Sequence, residues 1–314
     1  MTAASLSQKP KAIRPGSRIA PIAPASPAKE DRIAAGKREL ERLGFSVLAP
    51  RVMQAEGYFT GPAHERRAEF LAALNDPGTD ALIATRGGYG SVYLLEKAFP
   101  DPFPPIKPII GFSDLTTLQI YLWQKYRWPT FYGPMLAAGL DAGNGVAHGY
   151  DLDSFEKALL KVDAGYAINL YGEPIGPGSA EGILLGGAMT LLEATLGTPW
   201  ELDTTNGILV LEDRAMKPYQ IDRVLLHLQH AGKFKEVRGI ILGDFPACEP
   251  PTPNSPTVRE VAQRILAPLN IPIVFGAPIG HTARPMLTLP LGTPARLTAE
   301  GRGTLNILEP TVRP

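Results

Sequence analysis

The feature that most constrains the fold of this sequence is the alternation, over its first half, of short apolar runs with helix-patterned segments. Ser26 and Pro27 supply a predicted N-cap and first turn for the first helix, and Gly44 a predicted stop. Strands that alternate with helices at short spacing build a mainly parallel sheet with helices on both faces. We therefore predict a doubly wound α/β domain with strands at 18–24, 45–50, 80–85 and 107–112, and helices at 27–43, 63–74, 91–99 and 115–126.

The texture of the sequence changes after Gly139, where glycine and then proline become frequent. Apolar runs at 207–212, 239–245 and 271–276 predict further strands, and a helix with apolar residues at i, i+3, i+4 and i+7 lies between the first two. The last thirty residues are typical of short strands joined by turns. The predicted segments are a disordered leader (1–17), an N-terminal α/β domain (18–144), a connecting region with one helix near 152–160 (145–179) and a mixed C-terminal β/α domain with a β-rich end (180–314).

Composition excludes several classes of protein. Lys+Arg and Asp+Glu each number 31 in 314 residues, so the formal net charge is zero. The sequence therefore lacks the excess of positive charge that would indicate nucleic acid or an anionic membrane as a partner. Cys248 is the single cysteine, which excludes an internal disulfide and a cysteine-based zinc site. No segment approaches the roughly 18 uninterrupted apolar residues of a membrane span, and the N-terminus lacks the apolar core of a signal peptide. A cytoplasmic enzyme or binding protein is the expected class.

Ser113 lies where a predicted strand turns into a predicted helix, in the stretch IIGFSDL. A serine in this place most often caps the helix, and Asp114 next to it suits the helix dipole. The alternative is a nucleophile on a tight turn, for which Gly111 supplies the small neighbour. The second glycine of the G-x-S-x-G motif is absent, because position 115 is leucine. Both interpretations remain open at this point.

The turn RGGYGS, residues 86–91, is a second candidate for a functional role. Glycines after a strand leave backbone N–H groups free to hold a phosphate or an oxyanion. The turn lacks both the spacing of G-x-G-x-x-G and the lysine of a P-loop, so it is a weak nucleotide site. A tight turn without a chemical role is equally compatible with the sequence.

Two further residues stand at the ends of predicted strands in the second half. Glu212 ends an apolar run, and the carboxyl ends of strands line the crevice in which open α/β sheets bind ligands. Asp213 competes with it for the same role, and either residue can also serve as a cap or an ion-pair partner. His281 follows a strand and a Gly-Pro-Gly loop, a position from which an imidazole can act in catalysis, although a purely structural role is the more common one for a loop histidine.

Taken together, these motifs resemble the LD-carboxypeptidases, a serine peptidase family that includes murein tetrapeptide carboxypeptidases and microcin C7 self-immunity peptidases. The resemblance covers residues 18–309, and the joint order of the motifs carries it. Four less specific stretches support the resemblance: IAPIAPAS near the start of the sequence, GYFTGPAHERRAEF, YGPM, and LPLG near the end. The principal motifs are RGGYG (86–90), GFSD (111–114), the LED…Y…IDR pattern (211–223), ILGDF (241–245) and GAPIGH (276–281).

The resemblance implies a Ser–Glu–His triad at Ser113, Glu212 and His281, without metal or cofactor. It places the serine in the first domain and its partners in the second, so that the site would lie in the interdomain cleft. Family members are typically cytoplasmic and often dimeric, and we expect a homodimer that binds neither nucleic acid nor membrane. The expected substrate is cytoplasmic murein tetrapeptide, in which the bond between the L-centre of a diamino acid and C-terminal D-Ala is cut.

Three more assignments complete this hypothesis. The backbone N–H groups of Asp114 and Gly88 would bind the oxyanion of an acyl-transfer intermediate. Arg86 is the candidate for the free terminal carboxylate of the substrate, since arginine binds carboxylates bidentately. An ion pair at a surface or interface is the alternative role for this arginine.

Two positions depart from the family pattern. Tyr132 replaces the histidine that usually precedes the GP of the GPM segment, and Ala188 replaces an asparagine that is common after the GG pair. We expect both residues to line the cleft, with Tyr132 in contact with substrate.

Three alternative functions are compatible with the sequence. An immunity-type peptidase would cleave a peptidyl-aminoacyl adenylate analogue and needs an aromatic platform, for which Trp200 and Tyr171 are candidates. A non-catalytic two-domain protein would instead close on a small ligand. A nucleotide-dependent α/β enzyme would use the glycine turn.

Overall fold

The structure, a computed structural model, describes residues 9–96, 99 and 105–314. Its first sheet has six strands in the order β12 (Leu289–Leu291), β5 (Thr130–Tyr132), β4 (Ile109–Gly111), β3 (Ala81–Ala84), β1 (Arg18–Ile22) and β2 (Ser46–Val47). The five N-terminal strands are parallel, as predicted. A short 3-10 helix, Ser91–Leu95, follows the glycine turn. The other N-terminal elements are β1 (Arg18–Ile22), α1 (Glu30–Arg42), β2 (Ser46–Val47), α2 (Ala63–Asn75), β3 (Ala81–Ala84), β4 (Ile109–Gly111), α3 (Leu115–Tyr126) and β5 (Thr130–Tyr132).

The central strands of this sheet are buried on both faces. All residues of β3 and β4 are buried, which explains why their sequences ALIA and IIG are apolar without alternation. Because β3, β4 and β5 are parallel, their carboxyl ends lie at one edge of the sheet. The glycine turn follows β3 at that edge, and Ser113 follows β4.

The second sheet has eight strands in the order β6 (Tyr166–Asn169), β14 (Thr304–Ile307), β13 (Pro294–Ala299), β8 (Gly178–Ala188), β9 (Gly207–Glu212), β10 (Gly239–Gly243), β11 (Ile273–Ala277) and β7 (Glu173–Gly176). Its four central strands, β8 to β11, are parallel, and the flanking strands are antiparallel. This mixed sheet confirms the predicted fold class. Its elements and the neighbouring ones are α4 (Leu152–Leu159), β6 (Tyr166–Asn169), β7 (Glu173–Gly176), β8 (Gly178–Ala188), α5 (Met189–Ala194), β9 (Gly207–Glu212), α6 (Pro218–His230), β10 (Gly239–Gly243), α7 (Val258–Leu266), the 3-10 helix Ala267–Leu269, β11 (Ile273–Ala277), β12 (Leu289–Leu291), β13 (Pro294–Ala299) and β14 (Thr304–Ile307).

The chain crosses between the two sheets in both directions. The strand β12 comes from the C-terminal half but pairs antiparallel with β5 at the edge of the first sheet, with Leu289 opposite Tyr132. Conversely, β6 and β7 come from the stretch 145–179 and form the two edges of the second sheet. That stretch therefore contributes strands to a sheet and differs from the connecting region expected from its composition.

Residues 9–17 also differ from the disordered leader expected over 1–17, of which residues 1–8 lie outside the described part. Ile13 is 1% exposed and belongs to the core. Lys11 forms a β-bridge with Arg313, and the N–H of Ala12 donates to the carbonyl of Arg313 at 2.8 Å. The contacts lie about 300 residues apart in sequence, so no local pattern could predict them.

The strand β9 sends its alternate side chains into two different cores. Ile208 and Val210 belong to the hydrophobic cluster that includes the first sheet, whereas Leu209 and Leu211 pack with α6 and α7. Because side chains alternate across a strand, Glu212 lies on the same face as Ile208 and Val210. The acid is thereby directed to the first domain.

Local elements deviate from prediction where side chains take other partners. The helix α1 begins at Glu30, so Ser26 does not cap it. The Ser26 hydroxyl binds the glycine turn instead. The strand predicted at 45–50 is limited to Ser46–Val47. The helix predicted at 91–99 is a 3-10 helix, Ser91–Leu95, and residues 97 and 98 lie outside the described part. Among the described residues, no helix combines the length and apolar character that crossing a membrane requires.

Gly36 allows α1 to pack closely on the loop that follows β5. A Cβ at this position would lie 2.1 Å from the carbonyl oxygen of Leu136. We expect Gly36→Ala to lower the free energy of unfolding by about 1–3 kcal/mol through overpacking. An unhindered helical position would instead gain about 0.5–1 kcal/mol from alanine. Urea denaturation measures the change.

Arg38→Ala, on the exposed side of α1, is the control and should stay within about 0.5 kcal/mol of the parent. A rise in stability for Gly36→Ala would show that α1 does not contact this loop as described.

Candidate active site

Ser113 occupies a turn with left-handed backbone between β4 and α3. Its φ is +63°, a conformation that costs a non-glycine residue on the order of 1–3 kcal/mol. The N-cap of α3 is Asp114, so Ser113 is not the helix cap that one interpretation of the sequence favoured. Gly111 makes the turn possible, because a Cβ there would lie 2.6 Å from Leu115 Cδ2. Strain of this kind is typical of functional turns.

The glycine turn after β3 packs directly on Ser113. A Cβ on Gly87 would lie 2.8 Å from Ser113 Cβ and 2.9 Å from its hydroxyl oxygen. Ser26 holds the turn from the other side: its N–H donates to the Gly87 carbonyl at 3.2 Å, and its hydroxyl accepts the N–H of Tyr89 at 3.1 Å. Gly88 has a φ of +106° and no room for a side chain beside Ser26.

The Asp114 side chain holds the far end of the glycine turn. Its carboxylate accepts the N–H of Ser91 at 2.7 Å, and the Ser91 hydroxyl donates to the Asp114 carbonyl at 2.5 Å. Burial raises the pKa of the Asp114 carboxyl, while the hydrogen bonds from Ser91 oppose this shift. Arg66, 1% exposed, donates to the Gly90 carbonyl at 2.7 Å. Asp114 thus uses its side chain for structure, and its backbone nitrogen lies beside Gly87.

Glu212 and His281 form a hydrogen-bonded pair. Glu212 ends β9 and has no exposed surface. Its Oε2 lies 2.9 Å from His281 Nδ1 and also accepts the backbone N–H of His281 at 2.9 Å. Its Oε1 accepts the hydroxyl of Tyr132 at 2.5 Å. A buried carboxylate requires such partners, and here both oxygens have them.

Two glycines leave the space that the Glu212 side chain occupies. A Cβ on Gly243, at the end of β10, would lie 2.6 Å from Glu212 Cβ. A Cβ on Gly280, whose φ is +56°, would lie 2.4 Å from the carboxyl carbon. These contacts explain glycines in the stretches ILGDF and GAPIGH in terms of one side chain.

Asp213, the competing acid, has different partners from Glu212. Its Oδ2 accepts the N–H and the hydroxyl of Thr190 at 3.1 and 2.7 Å, and its Oδ1 accepts the N–H of Arg214 at 2.9 Å. Burial raises the pKa of the Asp213 carboxyl, and the charge of Glu212 adds to this effect against the hydrogen bonds from Thr190. The imidazole of His281 therefore contacts Glu212, whereas the Asp213 carboxylate binds Thr190.

A second carboxylate holds the loop that carries His281, and the sequence analysis did not identify it. Asp244 follows β10 and accepts the hydroxyl of Thr282 and the guanidinium of Arg284, whose Nε lies 3.2 Å from Oδ2. Arg284 also donates to the carbonyls of Gly276 and Tyr171. The stretch GDF was noticed only as a motif, because nothing local indicates that its aspartate binds an arginine forty residues away.

Ser113 and His281 line one cleft of about 580 Å³ between the two domains. Phe112 contacts the imidazole edge-on, with ring centroids 5.1 Å apart. The predicted residues Arg86, Gly88 and Asp114 line the same cleft, together with Ala188. A larger open depression of about 740 Å³ at residues 250–257 contains none of these groups.

Cationic side chains surround this cleft. The cleft is lined by four of them: Lys29, Arg32, Arg86 and Arg214. Among the described residues, only Arg32 of these four has a carboxylate partner, which is Asp141. Arg86 donates to the carbonyl of Pro27 at 2.8 Å and remains exposed. The acids at the cleft, Asp114 and Asp213, are buried and hydrogen-bonded. The cleft therefore favours a ligand with negative charge.

Three expectations about aromatic residues need correction. Tyr132 has no exposed surface and does not line the cleft, because its hydroxyl points to Glu212. Trp200 packs edge-on against Tyr121, with centroids 6.0 Å apart, and Tyr171 binds Arg284 and Arg302 through its carbonyl. Neither Trp200 nor Tyr171 lines the cleft, so neither forms the aromatic platform considered for a nucleobase.

Several proteins of known sequence or structure are similar to this chain along nearly its whole length. A protein of Bacillus subtilis, named "Probable murein peptide carboxypeptidase", is 33% identical over 94% of this chain and 93% of its own. The solved muramoyltetrapeptide carboxypeptidase of Oxalobacter formigenes is 27% identical with a TM-score of 0.81, covering 94% of this chain and 99% of that one. A microcin C7 self-immunity protein, solved in complex with aspartyl sulfamoyl adenosine, is 25% identical with a TM-score of 0.86, covering 97% and 99%.

A two-domain α/β fold that brings a hydroxyl and an imidazole to one interdomain cleft, with a buried carboxylate hydrogen-bonded to the imidazole, is typical of a serine-type hydrolase. The family models for the LD-carboxypeptidase N-terminal and C-terminal domains match residues 19–133 and 181–297. The chain belongs to the LD-carboxypeptidase family. It is accordingly a hydrolase, a serine-type LD-carboxypeptidase, and not a non-catalytic binding protein.

The contact between Gly280 and Glu212 can be tested against a glycine nearby. Gly280→Ala would force its Cβ onto the carboxylate, and we expect a free energy of unfolding about 1–3 kcal/mol below that of Gly276→Ala. Gly276 has a φ of +82° and open space around its Cβ, so both variants carry left-handed strain and only one carries the clash. Thermal and urea denaturation measure the difference. Equal losses would mean that Gly280 does not support Glu212.

Proposed function

We propose that the protein hydrolyses the amide bond between the L-centre of a diamino acid and C-terminal D-Ala in murein tetrapeptide, through Ser113, His281 and Glu212, as a step of peptidoglycan recycling. The observation that carries this proposal is the hydrogen bond between His281 Nδ1 and the buried Glu212, in a cleft that also exposes Ser113 on a left-handed turn. Family membership supports the reaction class. Cytoplasmic location and a homodimer remain predictions from the family resemblance.

The geometry supports an acyl-enzyme mechanism. A carboxylate on Nδ1 selects the tautomer with the proton on that nitrogen, which leaves Nε2 of His281 as the base. Nε2 takes the proton of Ser113 Oγ as this oxygen bonds to the carbonyl carbon of the substrate. Collapse of the intermediate breaks the C–N bond, and His281 returns the proton to the amine of D-Ala. Water then hydrolyses the ester with His281 again as the base.

Backbone donors stand beside the position of the developing oxyanion. Among the described residues, the N–H groups of Asp114 and Gly88 donate to no other group, and the Ser113 hydroxyl has no partner of its own. The Asp114 nitrogen adjoins Gly87 at the N-terminus of α3, where the helix dipole favours negative charge. One donor of this kind contributes about 2.7–4 kcal/mol to transition-state stabilisation in related enzymes.

A carboxypeptidase also has to recognise the free carboxylate of its substrate. Arg86 precedes the glycine turn and presents an exposed guanidinium at the cleft. A residue next to the oxyanion site is well placed to bind a carboxylate one residue beyond the scissile bond. Lys29 and Arg214 add positive charge for the other carboxylates of a murein stem.

An immunity-type peptidase is the second candidate, supported by the likeness to a self-immunity protein solved with aspartyl sulfamoyl adenosine. The positions of Trp200 and Tyr171 away from the cleft argue against it. Purified protein should be incubated with murein tetrapeptide and, separately, with a peptidyl-aminoacyl adenylate analogue. Cleavage of the adenylate analogue alone would replace the first proposal by the second.

Ser113→Ala tests the nucleophile. Because the variant lacks the attacking oxygen, we expect the rate of D-Ala release to fall by about 10⁴–10⁶-fold. Mass spectrometry of the reaction products measures this rate. Ser179→Ala, on β8 and away from the cleft, is the control and should retain full activity. Retention of activity by Ser113→Ala would exclude the proposed mechanism.

The role of Arg86 can be separated from a general charge effect with a modified substrate. Wild-type protein should prefer the free D-Ala carboxylate to D-alaninamide by at least about tenfold in kcat/KM, since a charge-assisted bidentate pair is lost with the amide. Arg86→Gln should remove most of this preference, whereas Arg214→Gln should keep it. Steady-state assays of both substrates decide, and an unchanged preference in Arg86→Gln would assign the carboxylate to another residue.

A further inference from the structure

The buried hydroxyl of Tyr132 occupies an unusual position between the two domains. Tyr132 ends β5, beside Gly111 of β4 on one side and Leu289 of β12 on the other. It has no exposed surface, yet its hydroxyl reaches Glu212 at the end of β9 in the second sheet. The phenol therefore connects the end of one sheet to the end of the other.

Tyr132 and His281 use different oxygens of the same carboxylate. The Tyr132 hydroxyl donates to Oε1 at 2.5 Å, whereas both hydrogen bonds to His281 involve Oε2. A carboxylate held through one oxygen can still rotate about its last torsion, whose preference is broad. Donors on both oxygens fix the plane of the carboxyl group and thereby the direction of the bond to the imidazole.

The same hydroxyl also contacts the segment that carries the nucleophile. It accepts the backbone N–H of Ser113 at 3.4 Å and lies beside the hydroxyl of Thr116 in the first turn of α3. Thr116 in turn accepts the N–H of Ala188 at 3.1 Å, which ties the end of β8 to α3. One side-chain oxygen thus links the backbone of the serine to the acid.

Gly187 leaves the space that this network needs. Its φ is +139°, and a Cβ there would lie 2.6 Å from Thr116 Oγ1 and 3.0 Å from Tyr132 Cε2. Burial raises the pKa of the Tyr132 phenol well above its usual value, with a further contribution from the charge of Glu212. The direction of this shift favours the protonated phenol, which acts as a hydrogen-bond donor to Glu212.

We infer that Tyr132 is a positioning residue that orients Glu212 toward His281 and couples this acid to the Ser113 turn. The inference rests on the proposed triad of Ser113, Glu212 and His281. It acts from beneath the cleft, because its side chain has no exposed surface and does not line the cleft.

Tyr132→Phe removes only the hydroxyl and is the principal test. We expect kcat for D-Ala release to fall by about 10–100-fold, comparable to the loss of residues that orient metal ligands, with KM almost unchanged. The acidic limb of the kcat/KM profile should move to higher pH. Without the phenol proton, more of the negative charge of Glu212 falls on the oxygen that faces the imidazole, and this favours the protonated form of His281.

The ionisable groups around Glu212 are His281, Tyr132 and the neighbouring Asp213, and Asp213 keeps its Thr190 hydrogen bonds in this variant. The titration of His281, followed by NMR of labelled histidine, should move to higher pH together with the kinetic profile. This readout needs no substrate. A wild type that releases no D-Ala would overturn the proposed function, while an unchanged His281 titration in Tyr132→Phe would overturn the positioning role.

Tyr150→Phe is the matched control. Tyr150 also has no exposed surface and donates its hydroxyl to a carboxylate, Glu39 Oε1, at 2.7 Å, but it does not line the cleft or contact the triad. It should lose stability without a change in kcat, pH profile or His281 titration. If both tyrosine variants changed activity equally, the effect of Tyr132 would be one of folding alone.

A double-mutant cycle with Glu212→Gln provides a second measurement. If Tyr132 acts through Glu212, Tyr132→Phe should cost less than about threefold further activity in the Glu212→Gln background, because the effects of coupled residues are not additive. A full additive loss would contradict the inference. Tyr132→His keeps a hydrogen-bond donor and covers the case in which phenylalanine prevents folding: its activity should lie well above that of Ser113→Ala, and an equal loss would also contradict the inference.

Discussion

The buried carboxylate of Glu212 is the constraint on which the rest of the site depends. A charge without exposed surface is tolerated only when hydrogen-bond donors surround it. Here the donors come from two segments, the Tyr132 hydroxyl from the first sheet and the two nitrogens of His281 from the loop after β11. The Glu212 carboxylate therefore links the first sheet to the loop that carries His281 and also orients the imidazole. One buried group serves both the contact between the domains and the proposed chemistry.

The two sheets place this acid opposite the nucleophile by a simple rule of strand geometry. Ser113 follows the carboxyl end of β4, and Glu212 forms the carboxyl end of β9. Alternation along β9 turns Glu212 to the face that packs with the first domain, and β12 crosses over to pair with β5. The interdomain cleft lies where these strand ends meet, which is the usual place for ligands in open α/β sheets.

Sequence patterns predicted the parts of the site whose cause is local. The apolar run before Ser113 and the glycines of residues 86–91 indicated turns at strand ends, and the structure places both at the cleft. The role of Tyr132 was expected at the substrate but is found beneath the cleft, since its partner Glu212 is 80 residues away. Asp244 was missed for the same reason: its partner Arg284 is 40 residues away.

By itself, the sequence determined the α/β class, the mainly parallel character of the N-terminal sheet and the residue types that meet at the site, because short stretches of chain contain the periodicity, the turn residues and the family motifs. Only the tertiary structure decided that β12 belongs to the first sheet, that β6 and β7 flank the second and that Ile13 lies in the core. It also decided where the Tyr132 hydroxyl points. These features depend on which segments, distant in the sequence, pack against one another and bury their apolar surface. No short stretch of sequence contains that information.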